Sequence, residues 1–336
     1  MPLVLSANDT ASIEVAAERL AEGSLVGMPT ETVYGLAADA GNASAVQRIF
    51  EAKGRPSDHP LIVHIAPAEE ADWRAAVAPF ASDVPAFAEA LMKAFWPGPL
   101  TLILPRRAEV AAVAAGGQDS VGLRCPSHPA AQALLLAARK QGVMGVAAPS
   151  ANRFGRVSPT TAAHVAAEFA ALSEAELLIL DGGACPVGIE STIVDCSRGA
   201  PVLLRPGMLT PAQIEAVCGR PLCERDGEAP RASGTLASHY APRAPVRLMA
   251  AAQLQAALDL LGKDAKNIAV YAGRAVRVPK SLPQHRMPDA AADCAQELFA
   301  VLRELDDTGV RLIWVETPPD GADWDGVRDR LMRAAA

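Results

Sequence analysis

The chain has 336 residues, of which half are apolar and only 4 % aromatic, so we expect two domains with largely aliphatic cores; one large domain is the alternative. Its 31 basic and 38 acidic residues give a formal net charge of −7. Proteins that bind nucleic acid through its phosphates usually carry a basic footprint, so the total charge gives no support to nucleic-acid binding, although a local basic cleft is compatible with it.

The first two-thirds of the chain alternates between helix-like and strand-like stretches. Gly23 is placed to end a helix over residues 12–22, and Gly54 ends a helix that Asn42 caps. A third helix is predicted over residues 129–141. The predicted strands are residues 25–28, 61–65, 100–104, 120–124, 143–148, 177–180, 192–195 and 202–204. Their uneven spacing predicts an α/β fold with a mixed, twisted open sheet rather than a regular doubly wound sheet.

The alternation stops after one more helix, which Thr210 and Pro211 open and Gly219 closes. Residues 221–243 then show little periodicity and are interpreted as a linker, and loops of that length tend to be functional or disordered. Beyond it, strands are predicted over residues 246–249, 268–271 and 310–315, and helices over 251–261, 290–305 and 323–332. This βαβαβα order predicts a small, parallel-sheet, Rossmann-like domain. We therefore expect domains over 1–220 and 244–336, and a linker placed to close over the site.

Several features predict the compartment. The six cysteines are scattered, with no C-x-x-C pair and no zinc-type Cys/His cluster, so we expect reduced and mostly buried thiols. Residues 1–5 do not begin a signal peptide, and no apolar run reaches the roughly 20 residues that a membrane helix needs. We expect a cytoplasmic protein that does not contact a membrane.

Four polar stretches interrupt the apolar strands where α/β sheets place ligands. The first is residues 29–36, for which a strand-to-helix turn is the alternative. In the second, Lys53 and Arg55 suit a polyanion such as a triphosphate, and an exposed basic turn is the alternative. His64 lies within an apolar strand, where a lone histidine is more often a satisfied core residue than a ligand.

The other two stretches combine arginines with hydroxyl and amide groups. Arg124 ends a strand and suits a carboxylate, while Ser150 and Asn152 suit phosphate or bicarbonate oxygens. Residues 158–161 must partly serve as a helix N-terminus. The fourth stretch joins residues 188–192 with Arg205. Neither a Walker loop nor a G-x-S-x-G elbow occurs, so ATP would be held by separate side chains from several strands.

Together these stretches resemble the YrdC-like threonylcarbamoyl-AMP synthases. Pro-Thr-Glu-Thr-x-Tyr-Gly-Leu, Lys-x-Arg, Ser-x-Asn, Glu-Ser-Thr and Arg-Pro-Gly stand in the family's order between Ser12 and Gly207. The Ala-Ser-His-Tyr-Ala-Pro run at residues 237–242 and the C-terminal βαβ unit resemble the longer, two-domain branch.

The resemblance implies a nucleotidyltransferase that makes L-threonylcarbamoyladenylate and pyrophosphate from ATP, L-threonine and bicarbonate, for N6-threonylcarbamoyladenosine in tRNA. The carboxylate of N-carboxythreonine attacks the α-phosphorus, so catalysis rests on positioning and charge neutralisation rather than on a protein nucleophile. Mg²⁺ is expected with ATP, held largely by the nucleotide and without a dedicated protein site. The downstream threonylcarbamoyl transferase and tRNA are further candidate partners.

Residue by residue, the resemblance implies three overlapping sets. The catalytic positions are Lys53, Arg55, Ser150 and Asn152. The L-threonine-binding positions are Thr32, His64, Arg124 and Ser191. The ATP-binding positions are Arg55, His59, Ser120, Ser150, Ser158, Arg205 and Tyr240, with Tyr240 on the linker closing over the nucleotide. His59 departs from the asparagine more usual in the family and offers an imidazole in its place.

Two alternatives belong to other functional classes. The first is a non-catalytic RNA-binding module of the same fold, which the complete Lys-x-Arg and Ser-x-Asn sets and the acidic total charge disfavour. The second is the carbamoyl-transfer module of hydrogenase maturation, in which we expect acylphosphatase-like and zinc-finger segments ahead of this domain.

Overall fold

Strands and helices alternate from Leu3 to Cys218 in the computed structural model, which describes residues 1–67, 69 and 71–336. The strands are β1 (Leu3–Ser6), β2 (Leu25–Met28), β3 (Gly35–Asp39), β4 (Ile62–His64), β5 (Leu100–Pro105), β6 (Ser120–Arg124), β7 (Val146–Ala147), β8 (Leu177–Asp181), β9 (Thr192–Asp195) and β10 (Val202–Arg205). The helices are α1 (Thr10–Ala21), α2 (Ala43–Lys53), α3 (Trp73–Val77), α4 (Ala86–Phe95), α5 (Pro129–Lys140), α6 (Ala162–Glu168) and α7 (Pro211–Cys218). We call these elements the ten-stranded domain.

Helix ends follow local sequence where side chains satisfy free backbone groups. The Asn42 side chain accepts a hydrogen bond from the Ala45 N–H and begins α2, which ends at Gly54 in the left-handed conformation with φ 62°. Thr210 and Gln213 form a reciprocal capping box at the start of α7, which ends at Gly219. These predicted helix ends are confirmed.

The ten strands form one mixed sheet in the order β1-β8-β2-β3-β7-β4-β6-β5-β9-β10, which confirms the predicted fold class. The predicted alternative for residues 29–36 is wrong, because this loop joins the antiparallel strands β2 and β3. Thr30 Oγ1 accepts hydrogen bonds from the N–H groups of Thr32 and Val33, so it caps a turn rather than a helix.

Cross-strand register places a row of polar side chains on one face of the sheet. Here β4 pairs His64 with Arg124 of β6, and β5 pairs Thr101 with Arg124. The row continues through Ile193 to Arg205. Residues opposite one another in neighbouring strands point to the same face, so all five share one side of the sheet. These residues thus share one face of the sheet, and His64, Arg124 and Arg205 are also the last residues of their strands, which is where the sequence placed the polar stretches.

The opposite face of the same strands is apolar and packs under the helices. Val63, Leu102 and Leu123 alternate with the polar row and belong to the largest core cluster, together with Val46 and Leu91 of the covering helices. Alternation therefore directs one side of these strands into this core and the other side to the face that carries the polar row.

The remaining elements form a second, smaller α/β unit, which we call the four-stranded domain. Its strands are β11 (Val246–Met249), β12 (Ile268–Ala272), β13 (Gln284–Arg286) and β14 (Leu312–Glu316), and its helices are α8 (Ala251–Leu261), α9 (Ala291–Asp307) and α10 (Asp325–Ala334). The sheet is entirely parallel, in the order β11-β14-β12-β13. The sequence predicted only the other three strands. Strand β13 was not predicted because its sequence, Gln-His-Arg, is polar and mostly exposed.

The two domains share a continuous apolar core. One cluster combines Val33 and Ile189 of the ten-stranded domain with Leu298, Phe299 and Leu331 of α9 and α10. The four-stranded domain therefore packs against loops of the ten-stranded domain, including those just ahead of β3 and β9.

The segment between the domains crosses the sheet face on which the polar row lies. Isolated β-bridges join Cys223 to Val202 and Ala241 to Arg156, one near each end of the segment. Between them, Ala229 and Ala232 pack on Ile62 and other apolar residues of the sheet. The segment is thus held against the face that carries the polar row.

All six cysteines are free, and four of them are buried. In the described ranges of the chain, no helix is both long and apolar enough to cross a membrane.

Candidate active site

A small cavity lies between the polar row and the linker. Its polar lining consists of Thr30, Arg55, His64, Arg124, Ser150, Glu190, Ser191, Arg205, Ser233, His239 and Tyr240. The structure thus brings together seven predicted site residues on this cavity, namely Arg55, His64, Arg124, Ser150, Ser191, Arg205 and Tyr240. The other six predicted site residues lie behind the cavity wall or in neighbouring cavities.

Arg205 ends β10 and ties the sheet to the linker. Its Nε donates to the Ser191 carbonyl at 3.0 Å and its Nη2 to Ser191 Oγ at 3.2 Å. Its Nη1 donates to the carbonyl of Ser233, on the linker, at 2.9 Å. The Ser191 hydroxyl also lies 2.8 Å from Thr101 Oγ1 in the polar row. One guanidinium therefore fixes a predicted threonine-binding residue and the linker at once.

Lys53 and Arg55 are almost fully buried, at 3 % and 8 % exposure, so the alternative of an exposed basic turn is wrong. The Lys53 ammonium donates to the carbonyls of Ser150, at 2.6 Å, and Asn152. Arg55 Nη2 donates to the Pro60 carbonyl at 2.8 Å. In this conformation Lys53 supports the loop that presents Ser150, while Arg55 lines the cavity itself.

Burial makes these cations electrostatically costly. It lowers the pKa of Lys53 well below its usual value, and the Arg55 charge lowers it further. Burial also lowers the pKa of Arg55, to about 10, and that of Arg205. A bound anion would relieve this penalty by favouring the charged forms. The cavity therefore has the electrostatics of an anion-binding site.

Arg124 forms a buried ion pair in which its Nη2 lies 2.7 Å from Glu31 Oε1. It stands beside His64, whose pKa falls to about 3 through burial and then through the Arg124 charge. Within the described part of the chain, His64 Nδ1 has no hydrogen-bond partner. His64 is therefore a neutral, unsatisfied cavity residue rather than a satisfied core histidine.

Asn152, Thr32 and Ser158 stabilise the wall from behind. The Asn152 amide nitrogen donates to the carbonyls of Arg153 and Arg156 at 2.7 and 2.9 Å. Thr32 Oγ1 lies 2.9 Å from the hydroxyl of Thr30, which lines the cavity. Ser158 is fully buried and its hydroxyl donates to the Glu190 carboxylate. These residues order the loops that surround the site.

Ser120 and His59 line two adjoining cavities under the linker. Ser120 lies with Ile62, Gly122 and Ser233 in a small cavity, in which the sheet contributes several apolar side chains. His59 lies near Phe154, Arg225 and Arg231 in a second cavity, and its ring meets that of Phe154 edge-on with 5.4 Å between the ring centres. The linker thus covers a continuous strip of the sheet face.

Several residues that line the cavity or contact its lining were absent from the predicted set. Glu31 and Glu190 stand inside the quoted motifs, and His239 precedes Tyr240, so attention to complete motifs would have included them. Ser233 carried no motif signal. Arg330 of α10 contacts Glu190 from the second domain, and in the sequence it is an ordinary arginine of an arginine-rich helix.

A mixed sheet whose arginine-lined cavity is covered by a linker to a second α/β domain defines an α/β protein of two domains with a cationic cavity. A family model described as "Telomere recombination", with Sua5, YciO and YrdC in its name, matches residues 18–207. A second, described as "Threonylcarbamoyl-AMP synthase, C-terminal domain", matches residues 209–336. The chain belongs to the family of threonylcarbamoyl-AMP synthases, in its two-domain form, which confirms the predicted resemblance.

Similar proteins come from archaea and bacteria. The threonylcarbamoyl-AMP synthase of Pyrococcus abyssi is 38 % identical over 334 residues, covering 96 % of this chain and 94 % of the relative. That of Bacillus subtilis is 38 % identical over 341 residues, covering 98 % and 94 %. The crystal structure of P. abyssi Sua5 complexed with L-threonine superposes with a TM-score of 0.86 at 36 % identity, covering 100 % of this chain and 97 % of that one.

Proposed function

We propose that this chain converts ATP, L-threonine and bicarbonate into L-threonylcarbamoyladenylate and pyrophosphate. The product would feed the formation of N6-threonylcarbamoyladenosine in tRNA through a downstream transferase. The relatives named threonylcarbamoyl-AMP synthases, which align over nearly the whole chain, support this proposal.

The observation that carries the proposal is the convergence of three buried arginines on one cavity. Arg55, Arg124 and Arg205 all line it, beside hydroxyls from Thr30 and Ser191. A substrate set comprising an amino-acid carboxylate, a carbamate and a triphosphate needs such a group of cations and donors. Arg124 is the proposed partner of the L-threonine carboxylate, and Arg55 and Arg205 are proposed to face the phosphates.

The proposed chemistry uses positioning and charge rather than a protein nucleophile. The threonine amine and bicarbonate first form the carbamate of N-carboxythreonine with loss of water. A carbamate oxygen then attacks the α-phosphorus, and the bond from that phosphorus to the bridging oxygen breaks as pyrophosphate leaves. The arginines neutralise charge that accumulates on the phosphate oxygens, which is the usual protein contribution to such transfers.

Mg²⁺ enters this proposal as part of the substrate, bound to the phosphates of ATP. Glu190, the carboxylate on the cavity wall, already accepts hydrogen bonds from Arg330 and Ser158, so the protein presents mainly basic and hydroxyl groups to the nucleotide. The free thiols suit a reducing compartment, and we propose the cytoplasm.

A pyrophosphate-release assay tests the activity. Release should require ATP, L-threonine and bicarbonate together, and release that does not depend on threonine would remove the substrate assignment. Arg55→Ala should lower kcat/KM by about 10²-fold or more without changing the melting temperature, since it removes a cation from the phosphate site. Arg74→Ala is the matched control, because Arg74 is exposed and pairs with Glu89. Full activity of the Arg55→Ala variant would refute the site.

A further inference from the structure

Arg330 is fully buried although it belongs to α10, the last helix of the four-stranded domain. Its guanidinium crosses the domain boundary into the cavity wall. Nε lies 2.8 Å from Glu190 Oε2, and Nη2 donates to the Glu190 carbonyl at 3.0 Å. Nη1 donates to the Pro206 carbonyl at 2.8 Å, next to Arg205. One side chain thus binds both chain segments that supply Ser191 and Arg205 to the site.

The same guanidinium is held in place within its own domain. Asp329 Oδ2 lies 2.8 Å from Nη1, and Arg333 pairs with the other Asp329 oxygen at 2.8 Å. The guanidinium carbon also lies 5.4 Å from the centre of the Tyr240 ring, in the range of a cation–π contact. Tyr240 is fully buried between Arg330 and Phe299 of α9 and has a left-handed φ of 63°. The four-stranded domain therefore supports the linker residue that lines the cavity.

The negative charge of Glu190 gives Arg330 a role in the cavity wall. Its carboxylate lies in the wall of a cavity proposed to receive a polyanion, where an uncompensated negative charge would repel the phosphates. Burial alone would raise the pKa of Glu190, but the charges of Arg330 and Arg205, together with hydrogen bonds from Ser158 and Arg330, lower it. Ser158 supplies a third stabilising contact. Without Arg330, Arg205 would be drawn to the carboxylate and would be less available to a ligand.

We propose that Arg330 is a positioning residue for the nucleotide site, through which the four-stranded domain neutralises Glu190 and holds Tyr240 against the cavity. This inference rests on the proposed function, because it assumes that the ligand is an anionic nucleotide. It assigns the second domain a direct part in completing the site.

The test compares Arg330→Met with Arg328→Met. Arg328 lies on the same helix, but its hydrogen bonds go to Pro319, Gly321 and Asp325 within its own domain. ATP affinity is measured by calorimetry without threonine, alongside the melting temperature. We expect Arg330→Met to weaken ATP binding by at least about tenfold, because it removes the arginine that forms an ion pair with Glu190. Arg328→Met should stay within about twofold of the parent.

A rescue variant separates charge neutralisation from a merely structural role. Glu190→Gln removes the carboxylate charge but keeps an acceptor for Ser158. The double variant Arg330→Met/Glu190→Gln should therefore bind ATP at least about threefold more tightly than Arg330→Met alone. Arg330→Lys provides a second test in case Arg330→Met does not fold. It keeps the positive charge but loses the planar guanidinium, so we expect it to weaken ATP binding by about threefold or more.

Parent-like ATP affinity in a folded Arg330→Met or Arg330→Lys variant would overturn the proposal, and so would a double variant that binds no better than Arg330→Met. Because ATP binding is measured without turnover, its result tests the role of Arg330 independently of the proposed enzymatic activity. A parent protein that binds ATP but releases no threonine-dependent pyrophosphate would remove the proposed function and leave the role of Arg330 standing.

Discussion

His64 shows how register and burial together give one residue its properties. The alternation of β4 points it away from the core, and the register places it beside Arg124. The nearby cation and the exclusion of water both oppose protonation, so the imidazole is neutral in the folded protein. A neutral imidazole beside Arg124 can accept or donate a hydrogen bond to a ligand without adding charge to the site.

The low pKa of His64 has a consequence for stability. The folded pKa is about 3, below the ordinary 6.5, so the unfolded chain binds a proton more readily as the pH falls below 6.5. This contribution to the free energy of unfolding is therefore complete above pH 6.5 and is lost as the pH falls toward 3, by at most about 1.4 kcal/mol per pH unit.

Urea unfolding of the parent and of His64→Gln between pH 5 and 6.5 measures this loss. We expect a shallower pH dependence in the variant, which carries no titrating imidazole at this position. Identical slopes would contradict the assignment of a neutral buried imidazole. His239, whose burial also lowers its pKa to about 3, adds to the parent slope and is present in both proteins.

At the scale of elements, the linker is the part whose conformation most affects the site. Its backbone runs over the cavity, with Ser233, Gly234 and Tyr240 in the lining. Gly234 has a φ of +73°, and an added Cβ would lie 2.3 Å from the Tyr240 hydroxyl and 2.8 Å from Arg205 Nη1. Only glycine allows this close approach without displacing the linker.

Gly234→Ala should therefore open the linker. If the strain reaches about 1.4 kcal/mol, the open population and the rate of limited proteolysis in the linker should each rise about tenfold. Gly227→Ala is the control in the same segment, because no described heavy atom lies within 4 Å of its added Cβ. Equal cleavage rates for the two variants would show that the observed conformation of the linker does not protect it from the protease.

At the scale of the whole molecule, the two domains are joined by close backbone packing as well as by the linker. Gly188 has a φ of +82°, and its added Cβ would lie 2.3 Å from the Gln296 carbonyl oxygen and 2.4 Å from that of Ala295 in α9. Gly326 of α10 makes a similar approach to Ile189 and Gly207. Both contacts hold the four-stranded domain beside the segments that carry Glu190 and Arg205.

Gly188→Ala tests this docking. The variant should lower the free energy of unfolding by about 1–3 kcal/mol more than Gly183→Ala, because the added methyl overpacks the domain interface. Gly183 is a matched control, since its φ is +82° and no described heavy atom lies within 4 Å of its added Cβ. Calorimetry should show a lower or a divided transition for Gly188→Ala, and a single parent-like transition would argue that the domains are not coupled there.

Local sequence signals were strong enough to predict many helices and strands and the residue types of the site. Caps and glycines marked the ends of α2 and α7, and apolar runs marked most strands, because these signals act within a few residues. Strands β1, β3 and β13 escaped prediction: β1 is a short edge strand, β3 is the short return of a hairpin, and β13 is polar and pairs on one side only. The ordered motifs were enough to indicate the family and most of the cavity residues.

The arrangement of those residues depends on tertiary contacts. Cross-strand register, which depends on partners far apart in the sequence, placed His64, Arg124 and Arg205 in one row on a sheet face. Packing turned Lys53 toward backbone carbonyls rather than into the cavity. Domain docking brought Arg330 to Glu190 across 140 residues of chain. Local patterns carry no information on such distant contacts, since they arise only when the separate surfaces are buried together.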